Sequence, residues 1–268
     1  MSDQQPRDGW GRPLIKPEDG GKPVAYTRVS TLSKALSDSS GLTKWKMRMV
    51  LRGATQRPDL LAVAMSAGAD DRRMDDVAQQ MLDAAGSSAK ANIGTAIHQF
   101  CEAHDRGMTP ILPPEYKPVL EAYKRKTEGF TWLGIEKFVV VDELRAAGTP
   151  DRVVRLPDGR ILVADIKTGA REPKYPLPSA IQIACYANGS VYDHTRDNPR
   201  LGKLSDHGVS LTTGLMIHLP ADGSGCDLYE IDLTAGWLAA QRAVWVRGAN
   251  KNRSIIKPAK YAATAKGE

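Results

Sequence analysis

The chain has 268 residues, of which 41% are apolar and 25% charged, and a net charge of +6. That length can bury a substantial core, as one large domain or a domain with an elaborate insertion, and the balance is that of a globular chain rather than a disordered one. No apolar run approaches a membrane span, no signal peptide opens the chain, and the mild basic excess favours polyanionic partners without identifying one.

In chain order, residues 1–28 read as an irregular lead-in, rich in Gly and Pro over its first 24 residues. Ser30 or Thr31 is placed to cap a short helix through Leu36, and a second helix is expected over 42–51. Segments 59–67 and 71–85 also read as helices, the latter opening on Asp70 and Asp71 as a helix N-terminus favours. Ser87-Ser88 introduces a helix over 88–106 on which Gly94, His98 and Glu102 recur every fourth residue and so share one stripe. Another helix is expected over 115–128.

Beyond Gly129 the apolar period changes from 3.6 to 2. A strand is expected over 131–142, containing Glu136 and the apolar run 138–141. A hairpin then spans Gly148 to Gly169, GTPDRVVRLPDGRILVADIKTG. Its turn, Pro157-Asp158-Gly159, suits a three-residue loop, with proline fixing φ and glycine taking the left-handed position. If Leu156 pairs with Arg160, Val153 faces Val163 and Asp151 faces Asp165, with Cβ atoms about 5 Å apart. Lys167 joins that face; a two-residue turn would put the carboxylates on opposite faces.

Both faces of the arms are apolar, Val153, Ile161 and Val163 on one and Val154, Leu162 and Ile166 on the other. That implies a sheet covered on both sides, with helices as the cover. A helix over 179–192 carries Gln182 and Tyr186 one turn apart. Residues 194–207 read as loop, 209–219 and 226–232 as strands, and 234–248 as an amphipathic helix. The segment 251–268 reads as a basic tail.

Two opposed carboxylates do not both stay ionised cheaply without a cation between them. Hard oxygen ligands suit Mg²⁺ or Mn²⁺, and the Ile166 carbonyl, between the motif residues, offers another oxygen. Lys167 beside such an ion suits phosphodiester hydrolysis. The same hairpin face also reads as a set of cross-strand ion pairs, an alternative the hairpin alone leaves open. Cys101, Cys185 and Cys226 are widely spaced, which points to reduced thiols in a cytoplasmic setting and against a zinc or iron–sulfur site.

The ordered motifs GTAIH ending at His98, GTPD ending at Asp151, DIK over 165–167 and QIACY over 182–186 resemble the RecB-like branch of the PD-(D/E)xK nuclease superfamily. The resemblance covers about residues 93–190 and implies an α/β, restriction-endonuclease-like core with a mixed β-sheet flanked by helices. On it, 29–129 would be a helical region contributing His98, and 130–250 the nuclease core. His98, Asp151 and Asp165 would ligate the metal with the Ile166 carbonyl, Lys167 would serve catalysis, and Gln182 and Tyr186 would position DNA or the site. Glu136 and Glu102 stand as further candidates. The compact chain has no helicase P-loop and resembles stand-alone bacteriophage exonucleases, serving recombination or repair in the host cytoplasm beside a single-strand annealing or recombination protein. The rivals are a structure-specific or restriction-type endonuclease and an inactive DNA-binding protein on the same fold. The basic residues Lys44, Lys46, Arg48 and Arg52, with Arg171, Lys174 and Arg196, suit a DNA backbone.

Overall fold

The computed structural model describes residues 5–169 and 175–258. The hairpin is its axis. Strands β7 (Arg152–Arg155) and β8 (Ile161–Lys167) pair antiparallel with Val153 opposite Val163 and Arg155 opposite Ile161. The turn is the three-residue loop: Leu156 N–H donates to the Arg160 carbonyl at 2.9 Å, and Gly159 takes φ +90°.

Around the hairpin the chain folds as a mixed α/β protein with two five-stranded sheets and, among the described residues, eight α-helices. Ahead of the hairpin lie β1 (Leu14–Ile15), β2 (Val24–Ala25), β3 (Thr27–Arg28) and helices α1 (Val29–Leu32), α2 (Ser40–Gln56), α3 (Asp59–Ala67), α4 (Asp71–Ala84), α5 (Ala89–Asp105) and α6 (Lys117–Lys126). Strands β4 (Thr131–Ile135), β5 (Val139–Val141) and β6 (Ala146–Gly148) then lead into β7. After β8 come α7 (Leu177–Ala187), β9 (Ser190–Tyr192), β10 (Arg200–Lys203), β11 (Thr213–His218), β12 (Asp227–Asp232) and α8 (Leu233–Ala249).

The first sheet has the order β12-β11-β8-β7-β4, with β11 and β8 parallel and the other pairs antiparallel. Its faces separate the two main cores as the hairpin's alternation requires. Val153, Val163 and Met216 pack with Ile181, Ala184 and Ala240 of α7 and α8. Val154, Leu162, Ala164 and Ile166 pack with Ile97, Cys101, Val119 and Tyr123 of α5 and α6. The sheet is therefore the middle of three layers. The second sheet, β10-β9-β5-β6-β3, sends Val139, Val141 and Ala146 into the α7 side and Val140 and Ala147 against Ile15, Tyr26 and Tyr192.

Four expectations are corrected. Residues 131–142 are two strands in different sheets, because the chain takes φ +51° at Glu136 and turns there. The helix expected over 179–192 ends at Ala187, and Ser190–Tyr192 pairs with β5 instead; Gly189 permits this, since a Cβ there would sit 2.8 Å from the Val140 carbonyl. The polar stretch 194–207 carries β10. The lead-in is bound rather than irregular from Leu14 onward: β1 pairs β2, β3 joins β6, and Ile15 is fully buried. Most of the expected basic tail, and Arg171 and Lys174, lie outside the described residues.

Candidate active site

The site forms where β7 begins and β8 ends. Arg152 opposite Ala164 is the last ladder pair, so Asp151 stands one step beyond it, across from Asp165. Asp151 turns its carboxylate into the ladder's next place: Oδ2 accepts the Ile166 N–H at 2.7 Å. The N–H and C=O of a strand residue point to the same edge, so the Ile166 carbonyl faces this side as well. His98 of α5 brings Nδ1 to 3.5 Å from the same Asp151 oxygen.

Gly94 makes this approach of α5 possible, since a Cβ there would lie 2.7 Å from Thr168 Oγ1, just past β8. The glycine and histidine of GTAIH thus bring α5 against the two arms of the hairpin, Gly94 at Thr168 past β8 and His98 at Asp151 ahead of β7.

Asp165 is buried, and its two oxygens have different partners. Gln182 Nε2 of α7 donates to Oδ1 at 3.0 Å, while Lys167 Nζ is in contact with Oδ2. Gln182 Oε1 lies 3.5 Å from Lys167 Nζ, so one amide joins the carboxylate and the ammonium. Tyr186, one turn on, packs its hydroxyl against Gly148, where a Cβ would sit 2.9 Å away.

The electrostatics are those of crowded carboxylates. Burial, followed by the Asp151 charge, raises the Asp165 pKa above the ordinary carboxylate value. Burial opposes ionisation of Asp151 too, but its bonds to His98 and the Ile166 N–H outweigh it and hold that carboxyl low. For His98, burial disfavours the imidazolium, yet Asp151, with help from Asp165, raises it overall. Glu136 is pushed up to about 7, first by burial and then by the charges of Asp151 and Glu102.

Glu136 lies at the edge of this cluster, its N–H donating to the Asp151 carbonyl at 3.2 Å. Glu102 is engaged by Arg106 at 2.8 Å. Among the described residues no group of three His, Cys, Asp or Glu side chains stands placed to hold a metal ion. The donors present are two carboxylates, an imidazole and a strand carbonyl. They fit a hard divalent ion of the Mg²⁺ type, which uses one or two carboxylates and retains water.

Sequence reasoning missed four residues here, Arg152, Asp105, Tyr123 and His218. Arg152 and the side chain of Asp105 of α5 are buried; Nε donates to Asp105 Oδ2 at 2.6 Å and Nη1 to the Asp151 carbonyl at 2.6 Å. Tyr123 of α6 donates to the same Asp105 oxygen at 2.7 Å. The sequence did carry a sign of this: Arg152 shares its parity with Val154, on a face otherwise apolar, where an arginine needs a buried partner. His218, register partner of Lys167, lies with Nε2 3.0 Å from the Gly169 carbonyl and holds the chain leaving β8. Only the parallel pairing of β11 brings it there.

A three-layer α/β fold with this cluster at the end of a central hairpin defines a class of phosphodiester-cleaving enzyme. The chain belongs to the PD-(D/E)XK nuclease superfamily, whose family model matches residues 59–199. That span contains His98, Asp151, Asp165, Lys167, Gln182 and Tyr186. No curated protein matches the chain at a significant level. The membership implies metal-dependent cleavage of nucleic acid, with DNA as substrate. No helix among the described residues is long and apolar enough to cross a membrane.

Proposed function

We propose that this protein is a RecB-like, Mg²⁺- or Mn²⁺-dependent DNA exonuclease of the phage type, acting in recombination or repair in the cytoplasm. The observation that carries the reading is the grouping of His98, Asp151, Asp165, Lys167 and Gln182 at one end of the hairpin, in the order of the RecB-like motifs. His98, Asp151, Asp165 and the Ile166 carbonyl would hold the ion. When bound, the ion polarises a phosphoryl oxygen and lowers the pKa of a coordinated water.

The chain's own groups do the rest. Asp151 is fixed by the Ile166 N–H, and Gln182 fixes Asp165, so neither carboxylate has to reorganise around the substrate. Lys167 carries its ammonium on the free side of Asp165, placed to stabilise charge growing on the scissile phosphate. Tyr186 closes the floor against Gly148. Lys44, Lys46, Arg48 and Arg52 are exposed on α2, which contains no acidic residue, and supply a track for the phosphate backbone. Arg196 is instead paired with Asp193 at 3.0 Å.

Incubation with linear and covalently closed DNA in Mg²⁺ or Mn²⁺ tests the reading. Loss of linear DNA alone, from its ends, is expected. Cutting of closed circles would assign an endonuclease, and no cutting with either metal would leave a DNA-binding protein. Asp165→Ala and Lys167→Ala should each abolish hydrolysis while thermal unfolding and DNA binding persist; an active Asp165→Ala variant would overturn the assignment of the site.

A further inference from the structure

A second cavity, of about 490 Å³, shares no residue with the hairpin site. Three parts of the chain converge on it: the turn bearing Trp10, the strand-to-helix junction with Thr27, Arg28 and Thr31, and Arg247 and Lys251 at and just past the end of α8. Its lining contains no carboxylate. Among the described residues, Arg28, Arg247 and Lys251 have no acidic partner within ion-pair reach. Arg12, also in the lining, differs, being paired with Asp8 at 2.6 Å.

Trp10 is 83% exposed, unusual for the largest aromatic side chain, yet its backbone is braced. The Asp8 carboxylate accepts the N–H groups of Trp10 at 3.0 Å and Arg12 at 2.8 Å, and Gly11 closes the turn at φ +72°. An indole held in water on a fixed turn, beside three unpaired cations and two threonine hydroxyls, is a stacking platform next to an anion cradle. Guanidinium groups and hydroxyls match phosphate oxygens, and an aromatic face takes any nucleobase.

We propose that this cavity is a nucleotide subsite, holding one phosphate among Arg28, Arg247 and Lys251 with the attached base stacked on Trp10. The choice of nucleic acid as the source rests on the nuclease reading. A strand seated here would be anchored away from the point of cleavage. Charge alone would leave the cavity a general anion site, and Trp10 is what makes it specific for a nucleotide.

The test is anisotropy of a labelled oligo-dT in EDTA, across a salt series, with the full chain and the variants Arg28→Ala/Arg247→Ala, Trp10→Ala and Trp10→Phe. The double variant should lower affinity and flatten the log–log salt slope by about 0.7, the value for one neutralised phosphate on a single strand. Trp10→Ala should weaken binding about tenfold, and Trp10→Phe should recover most of it. Competition with dTMP and with inorganic phosphate separates the sources. Displacement needing a strand assigns a strand, and dTMP matching it per nucleotide assigns a free nucleotide. Phosphate competing as well as dTMP would overturn the stacking half of the proposal.

Unchanged affinity and slope in folded variants would overturn the subsite, even if the wild type cuts DNA. If the wild type cuts nothing while the variants still lose oligonucleotide binding, the subsite stands and the nuclease reading falls.

Discussion

Gln182 joins the carboxylate and the ammonium of the site, donating to Asp165 and facing Lys167 through its other amide atom. A leucine there keeps the volume and removes both contacts. Gln182→Leu should lower kcat by about 10- to 100-fold, the range for losing a group that orients a ligand, with KM for DNA little changed. Single-turnover kinetics at saturating DNA read that split. Gly148 is constrained in a different way. A methyl there would stand 2.9 Å from the Tyr186 hydroxyl and 3.2 Å from its ring, and Tyr186 is buried. Gly148→Ala should therefore destabilise by about 1–3 kcal/mol, as overpacking does, measured by urea unfolding. These residues were legible in the sequence because each motif joins a residue type to a spacing. Arg152 showed only by its parity on an apolar face, and Asp105 not at all, because a charge separated from its partner by 47 positions reads as a surface residue until α5 is laid on the sheet.

At the scale of elements, the Arg152–Asp105 pair is the rivet between β7 and α5, and through it between Asp151 and His98. Tyr123 adds α6, and the Arg152 guanidinium lies 5.9 Å from the Trp132 ring of β4. The pair is 1% and 0% exposed, so removing one member strands a buried charge. Arg152→Met should cost about 3–5 kcal/mol, and Asp105→Leu/Arg152→Met should cost clearly less, since the double change leaves no orphan charge. Chemical denaturation of all three variants reads the difference; equal losses in the single and double variants would sink the idea. The elements the sequence missed fail for related reasons. A strand pattern continues through 131–142, but a positive φ at Glu136 is invisible to alternation. The two-residue strands β1, β2 and β3 are too short to show any period; β3 exists because the second sheet offers it an edge at β6, and β1 and β2 exist by pairing with each other.

For the molecule as a whole, a polar knot reinforces the attachment of the N-terminal segment that β3 and the buried Ile15 begin. Arg200 of β10 grips Asp142 through two bonds, Nε to Oδ2 at 2.9 Å and Nη2 to Oδ1 at 2.7 Å. Tyr26 donates to the same carboxylate at 2.7 Å, and Arg200 Nη1 reaches the Lys16 carbonyl at 2.8 Å. Burial works against the Asp142 charge, but Arg200 and Tyr26 outweigh it and hold the carboxyl below its ordinary value. A depressed acid contributes stability above its unfolded pKa, about 3.9, and loses it as pH falls through the folded value. Tyr26 has the opposite sign: burial and the Asp142 carboxylate push it up to about 12 from 10. Its contribution is complete below pH 10 and is lost as pH rises toward 12. The knot should therefore open at both ends of the pH scale, for two separate reasons. Against wild type, the stability deficit of Asp142→Asn should be largest near neutrality and shrink below about pH 4. That of Tyr26→Phe should also shrink on the alkaline side, above pH 10, in addition to the acid loss it shares as Asp142 protonates. Urea midpoints across pH give both curves, and limited proteolysis around residues 16–26 shows whether the segment leaves with the knot. A deficit for Asp142→Asn that stayed constant down to pH 2.5 would mean that its carboxylate does not hold the segment.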